Sequence, residues 1–397
     1  MRRFRRSRWA AYFHEDAVVV DIRALLSGEL AARPATNVIA ASALTGAEAA
    51  VSANELALVS ALQTDEWTTA DDLGDDAEVA ERLAERGLVV ADDDDGPFGQ
   101  LRARDETLTR EHWDRYAALF HFMDRGRSDG GVTVEEAERA APQASAAIAS
   151  FVAQHGPPPD AFHRRRSDGS YALEHEDRAG TLYDALRMRR TARAFAADAV
   201  SFAEVSAVLR YTFGCHGYWR TAETVTLHKT APSGGGLHPV EAYAIVLAVE
   251  GVPTGAYHYN VERNDLDLLK ELDAANARSA LAQAACGQQF VGEAALVVLL
   301  TGRFFRSFWK YRDDARAYAV LLMDVGHLSQ TFQLVATDLG LASFVTAAID
   351  GPAADALVGV DGTGESVLAL CGCGRPSRAT SPLDADVLPY FPKRSQN

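Results

Sequence analysis

The chain has 397 residues, 48% hydrophobic and 24% charged, enough to bury a sizeable core and to build two or three ordinary domains. Its formal net charge of -16 argues against duplex nucleic acid or an anionic membrane as principal partner, because both reward clustered Lys and Arg. Four cysteines (Cys215, Cys286, Cys371, Cys373), a basic start without a following apolar segment, and apolar runs no longer than a strand, such as Ala294 to Leu300, predict a cytoplasmic protein with reduced thiols and no membrane span.

Residues 17 to 91 read as a small module. Two β-rich runs, Val18 to Ile22 and Asn37 to Ala40, precede two helical patterns. The first, around Asn54 to Leu62, aligns Leu56, Val59 and Leu62; the second, around Asp76 to Arg86, carries Val79 and Leu83 before Gly87-Leu88-Val89-Val90. This order resembles a winged helix. It suits a plain structural cap or a module that takes a leader peptide as an added strand, whereas the acidic run Asp92 to Asp95, where a wing would meet phosphate, speaks against DNA. Residues 105 to 155 are helical in pattern, with Trp113, Tyr116, Ala117 and Phe120 spaced as a core stripe. Asp129-Gly130-Gly131 interrupts them, and Gly156-Pro157-Pro158-Pro159 marks a boundary. The predicted organisation is a winged-helix-like module over 1–95, a helical connector and linker over 96–160, and a catalytic domain over 161–397.

From residue 178 helices and strands alternate: helices 180–188 and 202–211, strand 242–249, a hairpin through Tyr257-His258-Tyr259 and Leu266 to Leu269, and helix 275–285. Strand 295–301, a long helix 315–339 and strands 344–349 and 366–371 complete the pattern. The layout predicts an α+β domain, an antiparallel-rich sheet flanked by helices. The long helix is apolar around most of its circumference and belongs in a core or a subunit interface.

Three constellations carry chemistry. Arg189-Arg190-Thr191-Ala192-Arg193 places three guanidiniums and a hydroxyl within five residues, which suits either a phosphate clamp or a solvated basic turn. Pro232-Ser233-Gly234-Gly235-Gly236 lets backbone amides approach a flat ring or an anion, or is a flexible turn; it has the spacing of neither a P-loop nor a G-x-G-x-x-G fingerprint. Lys310-Tyr311, with Arg303, Arg306 and Arg312 near in sequence, reads by itself as a surface lysine beside a packed tyrosine at the end of a strand. His238 and His327 read as hydrogen-bonded structural residues, and the cysteines lack the spacing of a zinc site, so no metal is predicted.

Taken together, Arg-Arg-Thr-x-Arg-x-Phe and Pro-Ser-Gly-Gly-Gly about forty residues later resemble the signature of the nitroreductase superfamily. With Gly255-Ala256-Tyr257-His258-Tyr259, Trp309-Lys310-Tyr311, Asp324-Val325-Gly326-His327 and Gly372-Cys373-Gly374-Arg375-Pro376, residues 187 to 377 are similar to SagB-type dehydrogenases of thiazole/oxazole-modified microcin pathways and to peptide maturation dehydrogenases. The resemblance implies a nitroreductase-like FMN fold and a homodimer sharing two flavins. Arg189, Arg190, Thr191, Arg193 and Arg375 would hold the flavin phosphate and ribityl chain, and Pro232, Ser233, Gly234 and Gly235 would lie along the ring across the dimer interface. Lys310 and Tyr311 would be catalytic. The implied substrate is a precursor peptide, the implied reaction azoline to azole, and the implied partners a cyclodehydratase or other members of a modification complex. Two other readings stand beside it: an NAD(P)H-dependent small-molecule nitro or quinone reductase, and a non-catalytic peptide-binding scaffold.

Overall fold

The computed structural model describes residues 2–20, 32–125, 146, 149–157, 171, 178–220 and 225–377. Residues 129–131 and the prolines 158 and 159 fall outside these.

The first strand was not expected. β1 (Arg3–Arg6) is flanked by β5 (Thr68–Thr69) and β6 (Val89–Ala91) in an antiparallel sheet. β2 (Ala10–Val20), β3 (Ala32–Ser42) and β4 (Ala47–Val51) form a second, meandering sheet. The polar start of the chain can serve as a strand because the acidic run lies beside it: Arg3 pairs with Asp92 at 2.6 Å, Arg2 with Asp93 at 2.9 Å, and Arg102 with Asp94. Those carboxylates therefore close the module electrostatically. Helices α1 (Ala53–Ala61), α2 (Ala70–Leu73) and α3 (Ala77–Glu85) pack on the sheets. Ser52 and Glu55 form a reciprocal capping box that starts α1, and Leu58, Val59, Leu62, Ala80 and Leu83 join Phe4, Leu88 and Val89 in one core.

Helix α4 (Gly96–Arg110) ends at a turn in which His112 takes a φ of 55°, and α5 (Arg115–Arg125) starts anew. This break corrects the predicted stripe. Trp113 (2% exposed) and Ala117 are buried, but Tyr116 (77%) and Phe120 (58%) face outward, because restarting the helix rotates its inner face to Ala117, Ala118, His121 and Phe122.

The C-terminal half is built on a sheet of seven strands. Its order is β12 (Asp265–Glu271), β11 (Gly255–Asn260), β10 (Val240–Val246), β13 (Leu296–Arg303), β15 (Glu365–Pro376), β14 (Ala342–Thr346), with β7 (Phe195–Ala196) also paired to β15. Every one of these pairings is antiparallel. Both faces are covered, which is why β13 reads Leu-Val-Val-Leu-Leu without polar alternation. Leu296, Val298 and Leu300 pack with α7 (Phe202–Phe213) and α10 (Arg316–Asp338). Val297 and Leu299 pack on the opposite side with α8 (Ala274–Ala284) and α11 (Gly351–Val358). The helices α6 (Thr181–Met188), α7, α8 and α10 and the hairpin β11–β12 fall within a residue or two of their predicted bounds. A short helix, α9 (Phe304–Phe308), and a two-stranded hairpin, β8 (Cys215–Arg220) with β9 (Val225–Lys229), were not predicted. Among the described residues no helix is long and apolar enough to cross a membrane.

The connector is built into the catalytic core. Trp9, Leu44, Leu108, Trp113 and Phe122 share one apolar cluster with Phe304, Phe308, Tyr318 and Leu321, and Arg125 reaches across to the buried Asp355 at 2.5 Å. Between them His121 accepts from the Tyr318 hydroxyl at Nδ1 (2.9 Å) and donates from Nε2 to the Gly362 carbonyl (3.2 Å). Burial and the adjacent Arg125 hold its pKa down at about 3. The unfolded chain takes up this proton near pH 6.5, and the folded chain does not until about pH 3. Stability from neutral His121 is therefore complete above about pH 6.5 and is lost as the pH falls toward 3. Melting temperatures across that window are expected to fall more steeply for the native chain than for His121→Gln.

Candidate functional site

The glycine run is not a loose turn. Ser233 is extended, Gly234 to Gly236 make one 3-10 turn, and Gly235 and Gly236 take φ of 64° and 67°, where any other L-residue is strained. The turn is held by Asp324 on α10. Its carboxylate accepts from Ser233 Oγ at 2.5 Å and from the Gly234 amide at 3.2 Å, and Ser233 Oγ in turn accepts from the His238 amide at 2.9 Å. Asp324 is buried, which raises its pKa, while the two hydrogen bonds and nearby His327 pull it back. A Cβ on Gly234 would lie 2.0 Å from Val320 Cγ1, so only glycine lets the run reach α10.

Lys310 and Tyr311 follow α9, and both their amides donate to the Ser307 carbonyl at 3.2 Å. Their tips meet over the glycine run. A Cβ at Gly235 would come within 2.7 Å of Lys310 Nζ and 2.8 Å of Tyr311 Oη. The structure thus joins two constellations that lie some seventy-five residues apart in the chain. Lys310 is exposed in the single chain and forms one wall of a cavity of about 410 Å³, with Val225, Thr226, Gly235, Gly236, Leu237, Arg306, Trp309 and Arg312. Arg303, expected near the pair, instead engages Glu241 at 3.0 Å and lines a neighbouring cavity.

The arginine run sits elsewhere. Arg189 is half-buried and donates to Gln333 Oε1 at 3.3 Å; the Thr191 and Ala192 backbone pairs with Ser343 of β14. Arg193 is half-buried beside them, and the buried Ser343 hydroxyl has no protein partner. Arg190 is exposed and turns back onto the carbonyls of Arg187 and Arg189. Arg375 lies apart from the run. β15 runs on to pair with β7, which carries this guanidinium to α7, where it forks onto both oxygens of Glu204 (2.7 and 2.8 Å) and donates to the Ala199 carbonyl.

Asp324 and Gln333 are nine residues apart, which places them about 180° around α10 and roughly 13.5 Å along it. Clamp and glycine run therefore lie on different sides of one helix. His238 meets its structural expectation: at a φ of 46°, burial and the cations Lys229 and Arg306 hold its pKa down to about 4, so the ring is neutral. Asp324 and Gln333 had no role assigned from sequence. The only prior trace of the former was its place in Asp-Val-Gly-His.

Residues 186–375 match the family model described as the nitroreductase family. A Methanocaldococcus jannaschii protein, MJ1384, named as a candidate nitroreductase, is 31% identical over 165 residues, 41% of this chain and 76% of that relative. The chain belongs to the nitroreductase family. It is also 35% identical over 120 residues to the trifolitoxin-processing protein TfxB of Rhizobium leguminosarum bv. trifolii, an alignment covering 29% of this chain and only 31% of that protein. Among solved structures, a nitroreductase-named protein of Anabaena variabilis is 25% identical, covering 49% of this chain and 38% of that one, with a TM-score of 0.42. A chain of the Escherichia coli microcin synthetase McbBCD complex with truncated pro-MccB17 is 19% identical, covering 68% and 97%, with a TM-score of 0.47.

The Asp324 hub has a measurable consequence in this family member. Asp324→Ala leaves Ser233 Oγ and the Gly234 amide without their acceptor, an expected loss of about 1–3 kcal/mol in denaturant unfolding. Gly235→Ala forces a left-handed backbone on a residue with a Cβ, costing about 1–2 kcal/mol, and also pushes Lys310 and Tyr311 aside.

Proposed function

We propose that the protein is an FMN-dependent dehydrogenase that oxidises a heterocycle in a ribosomally made peptide, converting azoline to azole. The observation that carries this reading is the meeting of Lys310 Nζ and Tyr311 Oη over Gly235, a proton-handling pair seated so close to the glycine backbone that a Cβ there would displace it. The residues fit the cofactor. Arg189, Thr191 and Arg193 supply cations and a hydroxyl for the phosphate and ribityl chain, next to the unpartnered Ser343 hydroxyl. Pro232 and Ser233 lead into Gly234 and Gly235, whose backbone, without a Cβ, would lie along the ring. Arg190 fits less well, being turned onto backbone carbonyls, and Arg375 does not fit.

When bound, FMN supplies the acceptor for a hydride. Lys310, as the free amine, takes the proton from the ring carbon that does not give the hydride, and Tyr311 holds the resulting ammonium or passes its proton on. Two C–H bonds break, one C=C bond forms, and the peptide loses two hydrogens.

A second copy completes the site in this reading. Clamp and glycine wall lie on opposite sides of α10, and an apolar surface runs between them: Leu322 and Met323 (61% exposed) on α10, Leu182, Leu186 and Met188 (64%) on α6. A patch of this kind on a homodimer interface lets the clamp of one protomer face the glycine run of its partner. The peptide assignment is supported by the processing role in the name of the Rhizobium relative and by the N-terminal module, where the outer edge of β4 suits an added strand of leader peptide. A cyclodehydratase is the partner that would make the azoline.

Purified protein is expected to be yellow, with a band near about 450 nm, and dimeric. Arg189→Ala with Arg193→Ala should lose the band. Met323→Glu should give monomers that lose it too. Lys310→Ala should keep it and abolish the loss of two hydrogens seen by mass spectrometry of a heterocyclised peptide; undiminished turnover in that variant would remove Lys310 from the chemistry. Rapid NADPH oxidation driven by a nitro compound, with no action on the peptide, would favour the small-molecule reductase reading.

A further inference from the structure

The cavity at Lys310 has an unusual charge for this chain. Lys310, Arg306 and Arg312 all line it, and among the described residues no carboxylate does, although acids exceed bases by sixteen overall. A second cavity of about 690 Å³ adjoins it. The two share one wall, Leu237, Arg306 and Trp309, and Arg306 Nε is fixed in that wall by donating to the Leu237 carbonyl at 2.5 Å. The far cavity adds Arg303, the half-exposed Phe305 and Val360, and two carboxylates, Asp361 and Glu365.

From this arrangement we infer that the two cavities form one binding path for an extended peptide segment that carries a carboxylate at the Lys310 end and uncharged residues beyond it. A carboxylate of the segment sits against Arg306 and Arg312, and its neighbouring residues pass over Trp309 into the second cavity. The inference rests on the peptide-oxidising reading and deepens it by naming the chemistry of the segment beside the reacting ring.

Three observations lead to it. Each cavity alone is of the size that takes a small molecule, so two in series suit a longer ligand. Arg306 is an under-compensated cation: burial and Arg303 disfavour its charge, with Glu241 offsetting only part. Its Nε is committed to Leu237, which leaves the fork of its two terminal nitrogens for a carboxylate, the pairing that guanidinium geometry favours. Trp309 and Phe305, half-exposed at the shared wall and beyond it, offer rings that peptide side chains can cover. The cavity's field also opposes the net charge of the molecule, so an acidic ligand that binds does so at this place against overall repulsion.

The test uses flavin-loaded protein and needs no turnover. A rhodamine-labelled hexapeptide with one glutamate followed by five alanines and its counterpart with lysine in place of the glutamate are titrated by fluorescence anisotropy. The acidic probe is expected to bind and to weaken with added salt, and the lysine probe is expected not to bind. Arg312→Glu, at an exposed position, and Arg306→Gln should each weaken the acidic probe at least tenfold while the flavin band stays. Equal binding of both probes, or indifference of the acidic probe to both substitutions, overturns the proposal. Release of flavin in step with probe binding overturns it as well, since the cations would then serve the cofactor. Flavin content is read separately in the visible band, so failure of the cofactor reading is distinguishable from failure of this one.

Discussion

The buried carboxylate of Asp324 is the interaction on which the site depends. A carboxyl group out of water is costly unless its oxygens are satisfied, and here a hydroxyl and a backbone amide from one short turn satisfy them. That requirement fixes the turn as firmly as the turn fixes the acid. Ser233 then donates its proton inward and is free to accept from the His238 amide, so the chain on both sides of the glycines is pinned by one group. The left-handed Gly235 and Gly236 follow from having to make this approach within three residues.

Helix α10 carries the consequence through the molecule. At its first turns Tyr318 binds His121 of the connector; at Val320 and Asp324 it receives the glycine run; at Gln333 it receives Arg189. N-terminal module, glycine run and arginine run are therefore referenced to one helix of 23 residues. The polar contacts along it are few and each is buried or half-buried, an arrangement that trades some stability against hydrophobic packing for a single defined register. Arg125 with Asp355 does the same at the connector: removing either partner would strand the other in the core.

Much of this was legible in sequence where a local rule sufficed. The period of α10 and the unbroken apolar run of β13 identify their elements without tertiary help. Legibility failed where the deciding partner lies far away in the chain. The basic start of the chain enters strand β1 beside a partner it cannot see locally, Asp92 and Asp93 returning to Arg3 and Arg2. Tyr116 and Phe120 have core spacing, but a helix break at His112 turns them out. Arg375 has the residue type of a phosphate ligand and is taken by Glu204, whose position no spacing rule connects to it. The hairpin β8–β9 alternates too weakly to be read as strands, yet Val225 and Thr226 form part of the cavity at Lys310.

The sequence pattern nonetheless implied something that one protomer does not display. Arginine run and glycine run look like parts of one site when written in a line, and in the folded chain they face away from each other around α10. Both facts hold together if the site is made between protomers, because a two-fold axis near the exposed Leu322 and Met323 brings unlike sides of two α10 helices into register. The apolar character of that face is then explained by the same constraint that separates the two runs. A monomer would have to bend α10 to bring clamp and wall to one ligand, and the buried bonds of Asp324 and Gln333 oppose any such bend.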